Sequence, residues 1–561
     1  MIRKPSSSVL VFAMLVGMFS VAGAPPAAAQ IQVNSANPSS APQGTVDLNV
    51  TIAGSGFKKG AKAQWFLTGT TNPGGVTVNS TTFGGSSSLT ANITVAADAA
   101  IANFDILVTN TDGRTGKGTD KFAVTTKGTP IGCTTSGTPS GFTLVTTLNP
   151  VQQNGAALLT TGRVGNAIRV RPLDLDQNGT VDTLVTFVAS GGYQTGATYV
   201  FLLDPSTGQM QSKNPVTGAV WQNPLLLLTG VRADLVASGD VNGDGVPDFV
   251  MAGDATYLFV GSVSGASSAN PFTPSYTAYQ IAPPAGAPGY WGTAVAVGDL
   301  DGDHLDEIAI GARPGKGQKA FPAVYIYKFA LGTLTYSRQI QDPTGNLSSN
   351  FGSAIAIGNI NGNAGNQLVV GAKTAGSTGL VYVFTYPAQQ NSYFTLTGTG
   401  TNFGQGLGIA DVTGDTIPDL VVMSDSSAFL YPGTVFPGEN YAAQFLPAAG
   451  LANQWDHPNG DVGELLTAGA IAVGAPGASS SQSCASSVGG VGAVHLFTAP
   501  FAASQFPNYL FEPPDLVGSS QFEYGFGVGI VPGSPFLLIG EHFRDVGTTT
   551  GAGQVYVYRK N

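Results

Sequence analysis

The sequence predicts an all-β protein, with a small N-terminal β-sandwich followed by a seven-bladed β-propeller. Three observations carry that expectation. Only 10% of the 561 residues are charged and 42% are hydrophobic, with 77 Gly and 35 Pro, too apolar for a disordered chain and suited to short strands joined by tight turns. Up to about residue 126, apolar and polar residues alternate as in half-buried strands. From residue 141 onward an Asp-rich segment recurs, each time running into an apolar strand.

At the N-terminus, Arg3 and Lys4 precede the apolar run 9–24, and "PPAAAQ" follows it. A basic start, a short apolar core and an Ala-x-Ala end predict a secretory signal over residues 1–29, cut after Ala29. A retained anchor is the alternative reading, but the run is shorter than the ~20 residues a span needs. No later stretch could span a bilayer, so the mature chain is expected to be secreted, periplasmic or associated with the cell surface, without a membrane span. The net charge of −10 argues against a nucleic-acid partner, which calls for a basic stripe.

Residues 30–126 form the expected sandwich. "TVDLNVTIAGSGF", "LTANITVAAD" and "FDILVTNTDGR" alternate as strands, and Asp112-Gly113 marks a tight turn. The Pro-rich start "NPSSAPQGT", the "GSGFKKGA" turn and the final "VTNTDG" hairpin resemble the immunoglobulin-like IPT/TIG domains. That resemblance implies an Ig-like accessory or spacer module. Residues 127–140, "KGTPIGCTTSGTPS", offer little to bury and are expected to be a linker.

Five segments define the repeat: "DLDQNGTVDTLVTF" at 174, "DVNGDGVPDFVMAG" at 240, "DLDGDHLDEIAIGA" at 299, "NINGNAGNQLVVGA" at 359 and "DVTGDTIPDLVVMS" at 411. A small-residue strand precedes each and two further strands follow, so one unit is four antiparallel strands with the Asp-rich loop joining the first two. Two later units, around "AGAIAVGAP" and "GSPFLLIGEH", keep the strands without the loop. About seven units fit a propeller within 141–561. The last unit ends after its third strand, and "FTLVTTL" at 142–148 is left over before the first. That segment is expected to supply the missing outer strand and close the ring.

Oxygen ligands at alternating positions suit a hard cation, and Ca²⁺ takes 6–8 of them in flexible geometry. Positions 1, 3, 5 and 9 supply side chains and position 7 a backbone carbonyl. These are Asp174, Asp176, Asn178, Thr180 and Asp182 in the first loop, and Asp240, Asn242, Asp244, Val246 and Asp248 in the second. The third offers Asp299, Asp301, Asp303, Leu305 and Glu307, with His304 where the second loop has Gly245. The fifth offers Asp411, Thr413, Asp415, Ile417 and Asp419, where Thr413 is the weaker ligand. The fourth copy has Asn359, Asn361, Asn363 and Gln367 without a carboxylate among them, so it is expected to stay empty and be held by its own hydrogen bonds. About four Ca²⁺ sites are therefore expected. An EF-hand is excluded, because position 12 is apolar and lies in a strand rather than being a Glu between helices. The competing explanation is that Asp, Asn and Gly simply make good turns.

These repeats resemble the FG-GAP (VCBS) repeats of integrin α propellers and of bacterial secreted proteins. "FG" stands at Phe351-Gly352 and Phe403-Gly404, with Trp291-Gly292 as a variant; "GAP" stands at Gly474-Ala475-Pro476, with variants at Gly311 and Gly371. The resemblance implies calcium in the loops as a stabiliser, and a ligand on the rim opposite to them. The function expected is an exported, calcium-binding, non-enzymatic binding or adhesion protein whose partner is an extracellular protein or a glycan. A lectin is the close variant. An extracellular polysaccharide-degrading enzyme and a structural matrix component are the alternatives.

No clustered acid, base or nucleophile stands outside the loops. His304, His457, His495 and His542 are scattered, and Glu541, Arg544 and Asp545 around His542 are expected to form a solvated polar rim. Cys133 and Cys484 could pair in an oxidising compartment or stand as separate thiols.

Overall fold

The computed structural model describes residues 30–42, 48–96, 99–125, 138–149, 164–190, 196–221, 223–263, 274–362, 365–385, 393–398, 400–425, 427–433, 441–447, 460–465, 468–475, 492–502, 504–513, 524–541 and 553–561. The signal at 1–29, most of the linker, Asn363, Cys133, Cys484, His457, His542, Arg544 and Asp545 lie outside the described residues. Within them all regular structure is β, apart from short turns. The chain divides into two compact units, 1–127 and 128–561.

In the first unit, strands Gln32–Asn37, Leu48–Ser55, Ser88–Val95 and Val76–Gly85 form one sheet in that order. Strands Ser40–Pro42, Thr115–Thr125, Ala102–Thr109 and Lys62–Leu67 form the other. Alternation sets the inner face: Leu89, Ala91, Ile93 and Val95 are buried, and the residues between them are half exposed. They share one core with Trp65 and Phe122, whose rings meet edge-on at 5.9 Å. The buried Asp105 pairs with Lys117 at 2.5 Å. Burial would raise its carboxyl, but the Lys117 ammonium and the Gly69 and Asp120 amides outweigh that and hold it at about 2.

The second unit forms, among its described residues, seven consecutive sheets spanning 164–229, 233–280, 290–341, 351–397, 406–445, 460–511 and 524–560. In the second sheet, strands Ala233–Gly239, Asp248–Gly253, Thr256–Val263 and Pro274–Gln280 run antiparallel in chain order, and the Asp loop joins the first two. The fifth sheet departs from four strands, because Ser504–Gln505 adds in parallel to Ala443–Phe445. In the seventh, Phe142–Leu148 is the outer strand, antiparallel to Gln554–Lys560 with Leu148 opposite Val555 and Phe142 opposite Lys560.

Each sheet shares an apolar core with the next. Phe187 of the first stacks on Phe249 of the second at 4.7 Å, and Phe142 of the seventh meets Phe511 of the sixth at 4.9 Å. The seventh sheet also shares a core with the first, where Leu538, Val555 and Val557 pack with Ile168, Val188 and Phe201. Burial is therefore continuous around a ring with no open end, the arrangement of a propeller.

The recurring glycines have a physical role at these junctions. Gly352 and Gly404, the second residues of the two "FG" pairs, have φ of 82° and 86°. Their carbonyl oxygens lie against the Cα of Gly311 and Gly371 in the preceding sheet, where a Cβ would collide with them. Gly540 and Gly165 meet in the same way at the junction of the seventh and first sheets.

Two Gly-, Pro- and Asn-containing segments with the composition of loops belong, in their described residues, to single sheets. "SKNPVTGAVWQNP" connects the third and fourth strands of the first sheet, folded as tight turns capped by Asn214, whose Oδ1 accepts from the Val216 and Thr217 amides. Residues 460–464 of "HPNGDVGE" belong to the first strand of the sixth sheet, Gly460–Leu465. Sheet pairing, which local composition does not report, decides both.

Candidate metal centres

The loops share a hydrogen-bonding plan. The carboxylate at position 1 accepts backbone amides from the turn that follows it. Asp240 accepts from Gly243 at 2.7 Å, Asp244 at 3.2 Å and Gly245 at 2.8 Å, and Asp411 from Gly414 at 2.7 Å, Asp415 at 3.2 Å and Thr416 at 2.7 Å. Position 5 caps the amide of position 7: Asn178 to Thr180 at 2.8 Å, Asp244 to Val246 at 2.8 Å, Asp303 to Leu305 at 3.0 Å and Asp415 to Ile417 at 3.0 Å. Position 9 accepts the amide of position 2 in all five copies, on Leu175, Val241, Leu300, Ile360 and Val412. Position 6 is left-handed in all four acidic loops, at Gly179, Gly245, His304 and Thr416. That conformation explains why Gly is the usual residue there.

In the fourth copy Gln367 Oε1 takes the amide of Ile360 at 2.8 Å, and Gln367 Nε2 donates to the Gly365 carbonyl at 3.1 Å. A neutral amide thus does the structural work of position 9. The position 9 bond forms without a carboxylate, so that bond alone does not call for a metal.

Charge distinguishes the loops. In the first, acidic oxygens of Asp174, Asp176 and Asp182 lie within 4.8 Å of one another. Among the described residues no ion pair involves these three. Desolvation would raise Asp174, but the amides of Gly179, Asn178 and Gln177 outweigh it and hold its carboxyl below the usual range. In the second, Asp248 is buried, with its oxygens on the amides of Val241 at 2.7 Å and Gly261 at 2.7 Å. Burial, with Asp240 and Asp244 nearby, pushes it up to about 7 despite those amides. Beside it the buried Tyr276 hydroxyl has no hydrogen-bond partner among the described residues, and burial with the charges of Asp248 and Asp244 raises it. In the fifth, burial likewise raises Asp419, and Thr413 turns its hydroxyl inward to Asp419 at 3.3 Å.

The third loop brings Asp299, Asp301 and Glu307 within the same 4.8 Å. It also contains a residue the loop pattern did not flag. Lys328, on the third strand of that sheet, contacts Asp301, Asp303 at 2.8 Å and Glu307 at 3.1 Å. Strand register could have pointed to it: the residue after the one opposite position 10 is Val260, Lys328, Thr385 or Pro432 in the second to fifth sheets. Position 8 was missed as well. Asp306 bonds the backbone of Asp240 in the preceding loop, and Asn366 donates to the Asp299 carbonyl at 2.9 Å. His495 is wholly buried in the strand Ala493–Thr498, with burial lowering it to about 4. Glu541 is buried and accepts from the Tyr556 hydroxyl, so it does not lie on a solvated rim.

Residues 240–310, from the second loop into the strand after the third, match the FG-GAP-like repeat family. That stretch is similar to FG-GAP-like repeats, and it lies within the second and third sheets of the ring. Chicken (Gallus gallus) integrin alpha-8 is 31% identical over 210 residues, which cover 33% of this chain and 19% of that protein. The chain thus matches about a fifth of the length of that relative. Among solved structures, the Dos1 propeller is 12% identical with a TM-score of 0.34, covering 75% of this chain and 95% of its own. Sqt1 from Chaetomium thermophilum is 11% identical with a TM-score of 0.40, covering 74% and 100%. The exotype rhamnogalacturonan lyase YesX is 12% identical with a TM-score of 0.31, covering 80% and 71%. At these scores the structural likeness carries no functional implication. Among the described residues no helix is long and apolar enough to cross a membrane.

Proposed function

We propose that this is an exported, non-enzymatic binding protein whose seven-bladed, integrin-like ring is stabilised by calcium in its Asp loops. The Ig-like N-terminal sandwich acts as a spacer. The observation that carries the calcium reading is the convergence of Asp174, Asp176 and Asp182, an all-oxygen set with no ion pair among the described residues to balance it. The second and fifth loops share the same plan, and burial raises their Asp248 and Asp419 carboxyls. The fourth loop, held by Gln367, does not fit a divalent ion.

The ligand face proposed is the rim away from the loops. In the third sheet, strand Tyr290–Gly298 ends at the Asp loop and begins at Tyr290 on the other rim. There the Arg313 guanidinium lies 4.3 Å from the centre of the exposed Tyr290 ring, and Phe321 is exposed in the adjoining connection. Exposed aromatic rings, one of them beside a cation, suit a glycan or a protein loop.

Calorimetric titration with Ca²⁺ and thermal unfolding with and without a chelator test the metal reading. Calcium is expected to raise the unfolding temperature, and D174N is expected to remove one equivalent. An unchanged unfolding temperature sinks it. Glycan-array and protein-ligand binding, with Y290A and F321A as rim variants, test the platform. Turnover of a polysaccharide would replace it with the enzyme alternative.

A further inference from the structure

We infer that the third Asp loop carries its own cation: the Lys328 ammonium sits among the carboxylates of positions 3, 5 and 9, and this loop binds no calcium. An ammonium has three donors and no acceptor. Lys328 Nζ meets three carboxylates, Asp301, Asp303 at 2.8 Å and Glu307 at 3.1 Å. Asp301 and Glu307 are two of the three acids that this loop brings together as a metal-type group. A divalent ion on the same oxygens would stand against a fixed positive charge at contact distance, and the two cannot share the cradle.

The surroundings are built for the lysine. Glu307 Oε2 accepts the Leu300 amide at 2.6 Å, which leaves Oε1 facing the ammonium. Glu307 is almost wholly buried, and Lys328 projects from the strand Ala323–Ala330, so its stem is held by the sheet and not by a mobile loop. The corresponding residues of the second, fourth and fifth sheets are Val260, Thr385 and Pro432, none of which carries a charge. Position 9 is Glu in this loop and Asp in the other acidic ones. The third and fourth loops then form a metal-independent sector by two different chemistries, a lysine in one and neutral amides in the other. They are joined by Asn366, which donates to the Asp299 carbonyl.

The inference uses the calcium reading of the other loops only for the baseline count of ions. Ca²⁺ binding is measured on the full mature chain by equilibrium dialysis. K328M is expected to bind one equivalent more than wild type, and D301N in the K328M background is expected to remove it. K328R, which keeps the charge, is expected to match wild type, as is D301N in the wild-type background. Folded K328M and K328Q with wild-type stoichiometry would overturn the inference, as would loss of an ion in wild-type D301N. Should K328M not fold, K328Q together with D301N in wild type decides. If wild type binds no calcium while K328M binds one ion, the calcium-platform reading fails and the lysine inference stands.

Discussion

Asp306 and Asp240 are bonded to each other twice: Asp306 Oδ2 accepts the Asp240 amide at 2.7 Å, and the Asp306 amide donates to the Asp240 carbonyl at 3.1 Å. Asp306 is position 8 of the third loop and Asp240 is position 1 of the second, so adjacent sheets are tied at the rim where the acidic oxygens gather. Burial raises the Asp306 carboxyl, with the Asp240 amide opposing that shift. D306A leaves the Asp240 amide without its partner and is expected to cost roughly 1–3 kcal/mol. Chemical denaturation measures the loss. D306N keeps an acceptor oxygen and is expected to lose less; equal losses would show that the charge, and not the hydrogen bond, matters.

Ring closure depends on Phe142–Leu148. Removing it exposes the edge of Gln554–Lys560 and strips Phe142 from its contacts with Tyr509 and Phe511. Deletion of 142–148 is expected to lower the unfolding temperature of the whole second unit and to promote aggregation. Calorimetry of the deleted chain checks this, and an unchanged main transition would show that the strand is an accessory.

The glycine pairs at the sheet junctions make a sharp steric test. G371A places a methyl group on the Gly404 carbonyl oxygen. It is expected to cost about 1–3 kcal/mol, as overpacking does, read as a fall in the denaturant midpoint.

At Thr416 the expected sign is opposite. Thr416 holds a φ of 74° with a β-branched side chain. T416G is expected to stabilise by roughly 1 kcal/mol through relief of that conformation, read as a rise in the same midpoint.

His495 gives the second unit an acid-sensitive term. Burial lowers its folded-state pKa from 6.5 to about 4. The unfolded chain therefore takes up the proton first, and stability is full above pH 6.5 and lost as pH falls towards 4. The loss is on the order of 3 kcal/mol. Denaturation midpoints of wild type and H495L at pH 7.5, 5.5 and 4 should diverge as pH falls; parallel curves would refute the assignment.

Repeated short-range chemistry was legible in the sequence. Alternation and turn residues placed the strands, the spacing of acids and glycines placed the five loops, and an unpaired strand at 142–148 pointed to closure. Each of these follows from periods of two to nine residues, which a linear reading captures. The fourth loop's independence of carboxylates was legible too, because Gln367 stands at a position whose partner, Ile360, is only seven residues away. Tertiary structure decided what lies across strands and across sheets. It set Lys328 among Asp301, Asp303 and Glu307 from more than twenty residues away, clipped Asp306 onto Asp240, and laid the Gly404 carbonyl on Gly371. Whether an acidic loop calls for a metal depends on the net charge at the oxygens, and that charge is a sum over neighbours in space.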